Sequence, residues 1–164
     1  MNSVNNASNP DVISIRAASI SDLDRICELE QELFPDPWPR SAFEEQLEVA
    51  GWGTLVAEHD GEIIAYACYM MAANESHLTN IAVVPSWRRK SVARALLDRI
   101  LEIVIAHTCD LILLEVRLSN AGARAFYERH GFKLLYRRKN YYRRPIEDAL
   151  VMVRYLKPDE DSDH

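Results

Sequence analysis

The chain has 164 residues, 48% of them apolar and 27% charged, the size and balance of one soluble globular domain with enough chain for a real core. No apolar run approaches the roughly 20 residues of a membrane helix, and the Asn- and Ser-rich first ten residues lack the basic and apolar regions of a signal peptide. The net charge of −6 hides an asymmetry, with residues 1–83 balancing to −11, residues 84–144 to +9 and residues 145–164 to −4. The positive middle suits a polyanionic ligand, while an acidic chain without a nucleic-acid motif argues against nucleic acid.

Residues 1–11 read as a disordered leader. Residues 12–17 alternate as a first strand. Ser19 starts a helix with Asp22 as its acidic first-turn partner. Leu23, Ile26, Cys27, Glu30 and Leu33-Phe34 give that helix a mostly apolar face. Pro35-Asp36-Pro37-Trp38-Pro39 is a stiff loop. A second helix over residues 41–49 is anchored by Phe43 and Leu47. Strands over 53–58 and 62–71 are joined across His59-Asp60-Gly61, a good hairpin turn. A turn at Asn74-Glu75-Ser76 leads into a strand over residues 77–84.

That strand ends in Ile81-Ala82-Val83-Val84, and Pro85-Ser86 stops it. The basic turn Arg88-Arg89-Lys90-Ser91-Val92-Ala93 follows, then a helix from Arg94 to Ala106 with Leu96, Leu97, Ile100, Leu101 and Val104 on one face. A strand that runs through small residues into a helix leaves backbone N–H groups pointing one way, with the positive helix end behind them. A pyrophosphate is the natural ligand of such a turn; a plain basic helix start facing solvent is the alternative. Residues 111–116 form another strand ending near Glu115. Residues 120–130 form a helix that carries Tyr127 and stops at Gly131. Residues 132–138 are a sixth strand, 140–145 a Tyr/Arg loop, and 147–155 a last strand returning beside the fifth or sixth. An acidic, disordered tail covers 157–164.

Three cysteines, Cys27, Cys68 and Cys109, are odd in number and lie in apolar stretches, so they read as reduced thiols of a cytoplasmic protein. The five histidines are scattered, with no metal-ligand spacing; His77 either approaches the site from its strand or, the favoured reading, is a polar strand residue. Glu115 is either a general base at a strand end or a carboxylate paired with Arg117 or another arginine. Tyr127 is either a proton donor or a helix aromatic packed on the sheet. Asn120 can cap its helix.

Asn80-Ile81-Ala82-Val83, the Arg88-x-x-Ser91-x-Ala93 turn, Leu114-Glu115-Val116-Arg117, Ser119-Asn120, Ala125-Phe126-Tyr127-Glu128 and Gly131-Phe132 resemble the GNAT family of acetyl-CoA-dependent N-acetyltransferases. With Arg138-Lys139-Asn140-Tyr141-Tyr142 and Glu147-Asp148-Ala149 the resemblance extends to the RimI branch, which acetylates the N-terminal alanine of a small-subunit ribosomal protein. It covers roughly residues 12–156, nearly the whole chain, taken as one domain. It implies an α/β GNAT fold, a mixed and mostly antiparallel sheet of about seven strands flanked by helices.

The resemblance also implies roles. A bulge near Ile81, Ala82 and Val83 would receive the acetyl and pantetheine portions. The run Arg88, Arg89, Lys90, Ser91, Val92, Ala93 and Arg94 would hold the pyrophosphate of acetyl-CoA. Asn120 would reach the pantetheine, Glu115 would be the base and Tyr127 the acid. Trp38, Tyr141 and Tyr142 would line the acceptor site. The partners implied are acetyl-CoA and a protein N-terminus; the alternatives are a lysine or small amine as acceptor, or an acetyl-CoA-binding module without turnover. The family has Gly where this chain has Ser91, which either crowds the phosphate or offers it a hydroxyl.

Overall fold

The computed structural model describes residues 12–158. The leader expected at residues 1–11 and most of the acidic tail, residues 159–164, lie outside the described residues. The elements run β1 (Ser14–Ala17), α1 (Leu23–Leu33), α2 (Arg40–Glu48), β2 (Trp52–His59), β3 (Glu62–Ala72), β4 (Glu75–Val83), α3 (Val92–Ala106), β5 (Leu111–Arg117), α4 (Ala121–Arg129), β6 (Lys133–Arg143) and β7 (Ile146–Tyr155). Single 3-10 turns precede α1, over Ile20–Asp22, and α3, over Pro85–Trp87.

All seven strands join one sheet in the order β1-β2-β3-β4-β5-β7-β6, and only the β4–β5 pair is parallel. The mixed, mostly antiparallel sheet of the GNAT fold is therefore present. The hairpin at Asp60-Gly61 forms with both residues at positive φ, 49° and 78°, as a tight two-residue turn requires. The last strand lies between β5 and β6 and so pairs with both.

Two expectations change. The stretch 140–145, expected as a Tyr/Arg loop, is mostly strand: β6 runs on to Arg143, interrupted by a register shift between Arg138 and Tyr142 where Asn140 takes a φ of 51°. A bulge, rather than a loop, absorbs the residues that cannot pair. The bulge expected near Ile81 to Val83 lies earlier. Cys68 pairs with Asn80 and Tyr69 with Leu78, which leaves Thr79 as the extra residue on β4.

The sheet has a core on each face. One packs α3 and α4 with Leu96, Leu97, Ile100, Ile112, Leu114, Val116 and Phe132; the other packs α1 and α2 with Leu23, Ile26, Leu29, Phe43, Val56 and Tyr66. Ile112, Leu114 and Val116 alternate into the first core, so Leu111, Leu113, Glu115 and Arg117 face the other side. The two N-terminal helices contact β2, β3 and β4. Their main contacts leave out β5, β7 and β6, although Ala149, Val151 and Val153 of β7 are buried on that side.

The start of α1 is held by one carboxylate. Asp22 accepts from the Ser19 N–H at 2.8 Å and takes both terminal nitrogens of Arg16 at 2.7 and 2.8 Å. The Arg16 guanidinium, more than any other contact, lowers the Asp22 pKa from 3.8 to about 2. A carboxylate held below its unfolded value stabilises the fold above about pH 4 and loses that contribution as the pH falls toward about 2. Asp22→Asn should lower stability at pH 7, and the gap between variant and wild type should close between pH 4 and pH 2. Denaturant melts across that range measure it.

Candidate active site

The parallel pairing of β4 with β5 covers only Glu75 to His77 against Leu111 to Leu113. Beyond it the strands part, though each keeps its other neighbour. β4 stays paired to β3 as far as Val83, and β5 to β7 as far as Arg117. The gap therefore opens between two well-supported edges whose backbone groups on that side are free to bond an extended ligand. Ile81 and Val83 lie along this gap, partly buried against the α3 core, while the Ala82 side chain is buried in the α1–α2 core and offers only its backbone.

The basic turn stands at the mouth of the gap. Arg89 and Ser91 both have positive φ, 59° and 63°, and Ser91 is the N-cap of α3. Helix α3 begins at Val92, two residues before the expected Arg94. The Ser91 side chain makes no capping bond, and its C=O accepts first from Ala95 at 3.0 Å. The first-turn N–H groups of Val92, Ala93 and Arg94 thus have no intrahelical partner. Val92 turns its side chain into the core and contributes only backbone.

Arg88, Arg89, Lys90 and Ser91 are exposed. Arg88 donates to the Val83 carbonyl at 3.2 Å, Lys90 lies 4.8 Å over the Trp87 ring, and Arg94 is 3.7 Å from Asp98. A cavity of about 330 Å³ lined by Ile13, Trp87, Lys90 and Ser91 opens beside the turn. A cationic rim around unpaired N–H groups fits the pyrophosphate of a nucleotide cofactor.

Polar side chains from other elements gather around the candidate base Glu115. His77 Nε2 lies 2.5 Å from Glu115 Oε2, so the ring donates to the carboxylate, and Arg138 lies 3.8 Å from Oε1. Arg117, the partner weighed from the sequence, instead reaches the carbonyls of Arg144 and Pro145 and stands 3.8 Å from Glu147. Of the two readings of His77 the less favoured holds: the short parallel pairing sets β4 beside β5 so that its side chain meets Glu115. Nothing in the linear spacing of residues 77 and 115 signals this contact.

Tyr141 and Tyr142 join the same cluster. Their rings meet edge-on at 5.1 Å, Arg138 stacks on Tyr141 at 4.3 Å and Arg117 on Tyr142 at 4.1 Å. Burial first, then the charges of Tyr141 and Glu115, push the Tyr142 phenol up to about 12.

Tyr127 lies on the other side of the sheet. It is 6% exposed and packs edge-on against Phe126 and Phe132. Burial raises its pKa above the ordinary phenol range, with a smaller contribution from Tyr142. Gly131, at a φ of 83°, closes α4 just beyond Tyr127, and the Phe132 N–H returns to the Tyr127 carbonyl at 3.0 Å.

Asn120 caps α4 by accepting from the Ala123 N–H at 3.1 Å. Trp38 is half-buried and packs on Phe43 at 5.4 Å. Cys68 and Cys109 are buried and Cys27 partly so; burial pushes the Cys68 thiol up to about 12, which leaves it no thiolate nucleophile. Among the described residues no three His, Cys, Asp or Glu side chains come together to hold a metal, and no helix is long and apolar enough to cross a membrane.

A splayed parallel strand pair with a cationic helix start at its mouth defines a GNAT acyltransferase, and the chain belongs to the acetyltransferase (GNAT) family, whose model matches residues 23–132. It is an acetyl-CoA-dependent N-acetyltransferase. Its curated relatives include the [ribosomal protein bS18]-alanine N-acetyltransferase of Escherichia coli, 31% identical over 85% of this chain and 95% of that protein, and that of Salmonella typhimurium, 32% identical over the same shares. The crystal structure of the ribosomal-protein-S18-alanine N-acetyltransferase from Escherichia coli superposes with a TM-score of 0.83 at 28% identity, over 93% of this chain and 99% of the other.

Left-handed backbone explains why Gly suits position 91. An L-residue there costs about 1–2 kcal/mol, partly offset by the greater freedom glycine gains on unfolding. Ser91→Gly should therefore raise the unfolding midpoint by roughly 2 °C and bind acetyl-CoA at least as tightly. Thermal melts and titration calorimetry read both, and weaker acetyl-CoA binding would assign the Ser91 hydroxyl as a ligand.

Proposed function

We propose that the protein acetylates the free N-terminal α-amine of a protein, an N-terminal alanine of a small-subunit ribosomal protein. The observation that carries the reading is the Glu115 cluster. A strand-end carboxylate is bonded by His77 beside the gap, on the half of the sheet face beyond the main contacts of α1 and α2. The names of the E. coli and Salmonella relatives support the acceptor. A ribosomal acceptor places the reaction in the cytoplasm.

Acetyl-CoA supplies an activated acetyl thioester when bound, held by the backbone of Ile81 and Val83, the turn from Arg88 to Arg94, and Asn120. The chain's residues handle the protons. An α-amine has a pKa near ~8 and a lysine amine near ~10.4, so the α-amine reaches its nucleophilic form at lower cost. Glu115 takes the proton that the amine loses as its nitrogen bonds to the acetyl carbon. His77, more exposed than Glu115, relays it to solvent. Tyr127 keeps its proton at neutral pH because burial raises its pKa, and gives it to the sulfur as the carbon–sulfur bond breaks. Trp38, Tyr141 and Tyr142 shape the acceptor entrance.

Glu115→Gln should lower kcat by about 100-fold, within the range for loss of a general base, and leave acetyl-CoA affinity unchanged. An unaltered rate at pH 7 removes Glu115 as the base. The acceptor is tested by coenzyme A release with two peptides, one with a free N-terminal alanine and no lysine, the other with a blocked N-terminus and one lysine. Release with the first alone is expected. Release with the second alone makes the enzyme a lysine acetyltransferase, and release with neither points to a small amine or to binding without turnover.

A further inference from the structure

Glu30 lies on the buried face of α1 and is only 2% exposed. A buried carboxylate is costly unless donors surround it. Three do, each from a different element. The Tyr66 hydroxyl donates from β3, the Asn80 Nδ2 from β4 at 2.9 Å, and the Trp38 backbone N–H from the α1–α2 loop at 3.1 Å. None of these contacts is needed to form α1, since Glu30 is an interior helix residue rather than a cap.

An aromatic chain closes the same circuit. The Trp38 ring lies 5.4 Å from Phe43, and Phe43 meets Tyr66 edge-on at 5.9 Å. The loop is thus held at its backbone by Glu30 and at its ring by Phe43. Burial first, then the bond to Glu30, raise the Tyr66 pKa far above the phenol range, so its hydroxyl remains a donor. Asn80 stands immediately after the bulged Thr79 and immediately before Ile81. One carboxylate therefore fixes both the acceptor-side loop and the strand segment that lines the gap.

The structure assigns Glu30 as a positioning residue for the acceptor: its carboxylate locks the Trp38 loop to the bulged segment of β4 and so sets the entrance through which an amine reaches Glu115. Glu30 acts through Trp38 and Asn80 and does not touch substrate. The inference rests on the reading of the α1–α2 loop as the wall of the acceptor site.

The test uses the full chain with Glu30→Gln and Tyr66→Phe. Glu30→Gln replaces a charge-assisted acceptor with a group that offers its own N–H to a ring of donors. It should raise KM for the free-alanine peptide about tenfold, the size of one lost charge-assisted hydrogen bond. KM for acetyl-CoA should stay within about twofold on the same scale. Tyr66→Phe removes one donor of three and should raise the peptide KM by about threefold; it carries the test if Glu30→Gln fails to fold.

Hydrogen exchange on the same variants needs no acceptor. Protection of the Trp38 amide should fall while the amides of α3 keep theirs. An unchanged peptide KM in a folded variant, equal rises in both KM values, or unchanged exchange at Trp38 overturns the assignment. Wild-type turnover on neither peptide sinks the α-amine reading instead, and the exchange at Trp38 still decides the clamp.

Discussion

The short parallel contact between β4 and β5 is the constraint on which the rest depends. Three residue pairs hold the strands together, after which they separate. Separation is tolerable because each strand keeps a full antiparallel neighbour on its other side. Only the facing edges lose their partners, and an extended ligand lying between them would restore the bonds that the sheet gave up. The three retained pairs also bring His77 to Glu115, so the same contact that ends the pairing builds the pair proposed to handle the proton.

Charge is placed around this gap by element rather than by sequence neighbourhood. The cationic turn stands at the start of α3, where unpaired N–H groups and the helix dipole add to its charge. The carboxylates that lie near the sheet are each held by donors. Asp22 is held by Arg16 and Ser19, Glu30 by Tyr66, Asn80 and Trp38, and Glu115 by His77 with Arg138 nearby. Each carboxylate joins at least two elements, so these contacts organise the fold as well as satisfy buried charge.

Periodicity along the chain carried most of the fold. The apolar spacing of Leu96, Leu97, Ile100, Leu101 and Val104 placed α3, and all five are buried. The Asp60-Gly61 pair placed the β2–β3 hairpin. The stretch 140–143 differs from its expected loop because Asn140 is a turn former, and a bulge in a paired strand carries the same local signal as a loop; Arg144-Pro145 does turn. Family motifs singled out Glu115, Tyr127 and the turn, because those residues lie close together along the chain. The meeting of His77 and Arg138 with Glu115, and the donors around Glu30, were not legible because each joins residues on different elements.

What the sequence determined by itself was everything set by short-range spacing: the order of strands and helices, the cationic turn, the cap at Asn120 and the stop at Gly131. Dihedral preference and apolar period are local properties, and they are written into adjacent residues. The tertiary structure alone decided that the bulge falls at Thr79, that Glu115 pairs with His77 and not with Arg117, and that Glu30 binds three distant donors. Those outcomes depend on strand register and on which side chains the two cores leave facing the gap. Register is fixed by packing across the whole sheet, so no short window of sequence contains it.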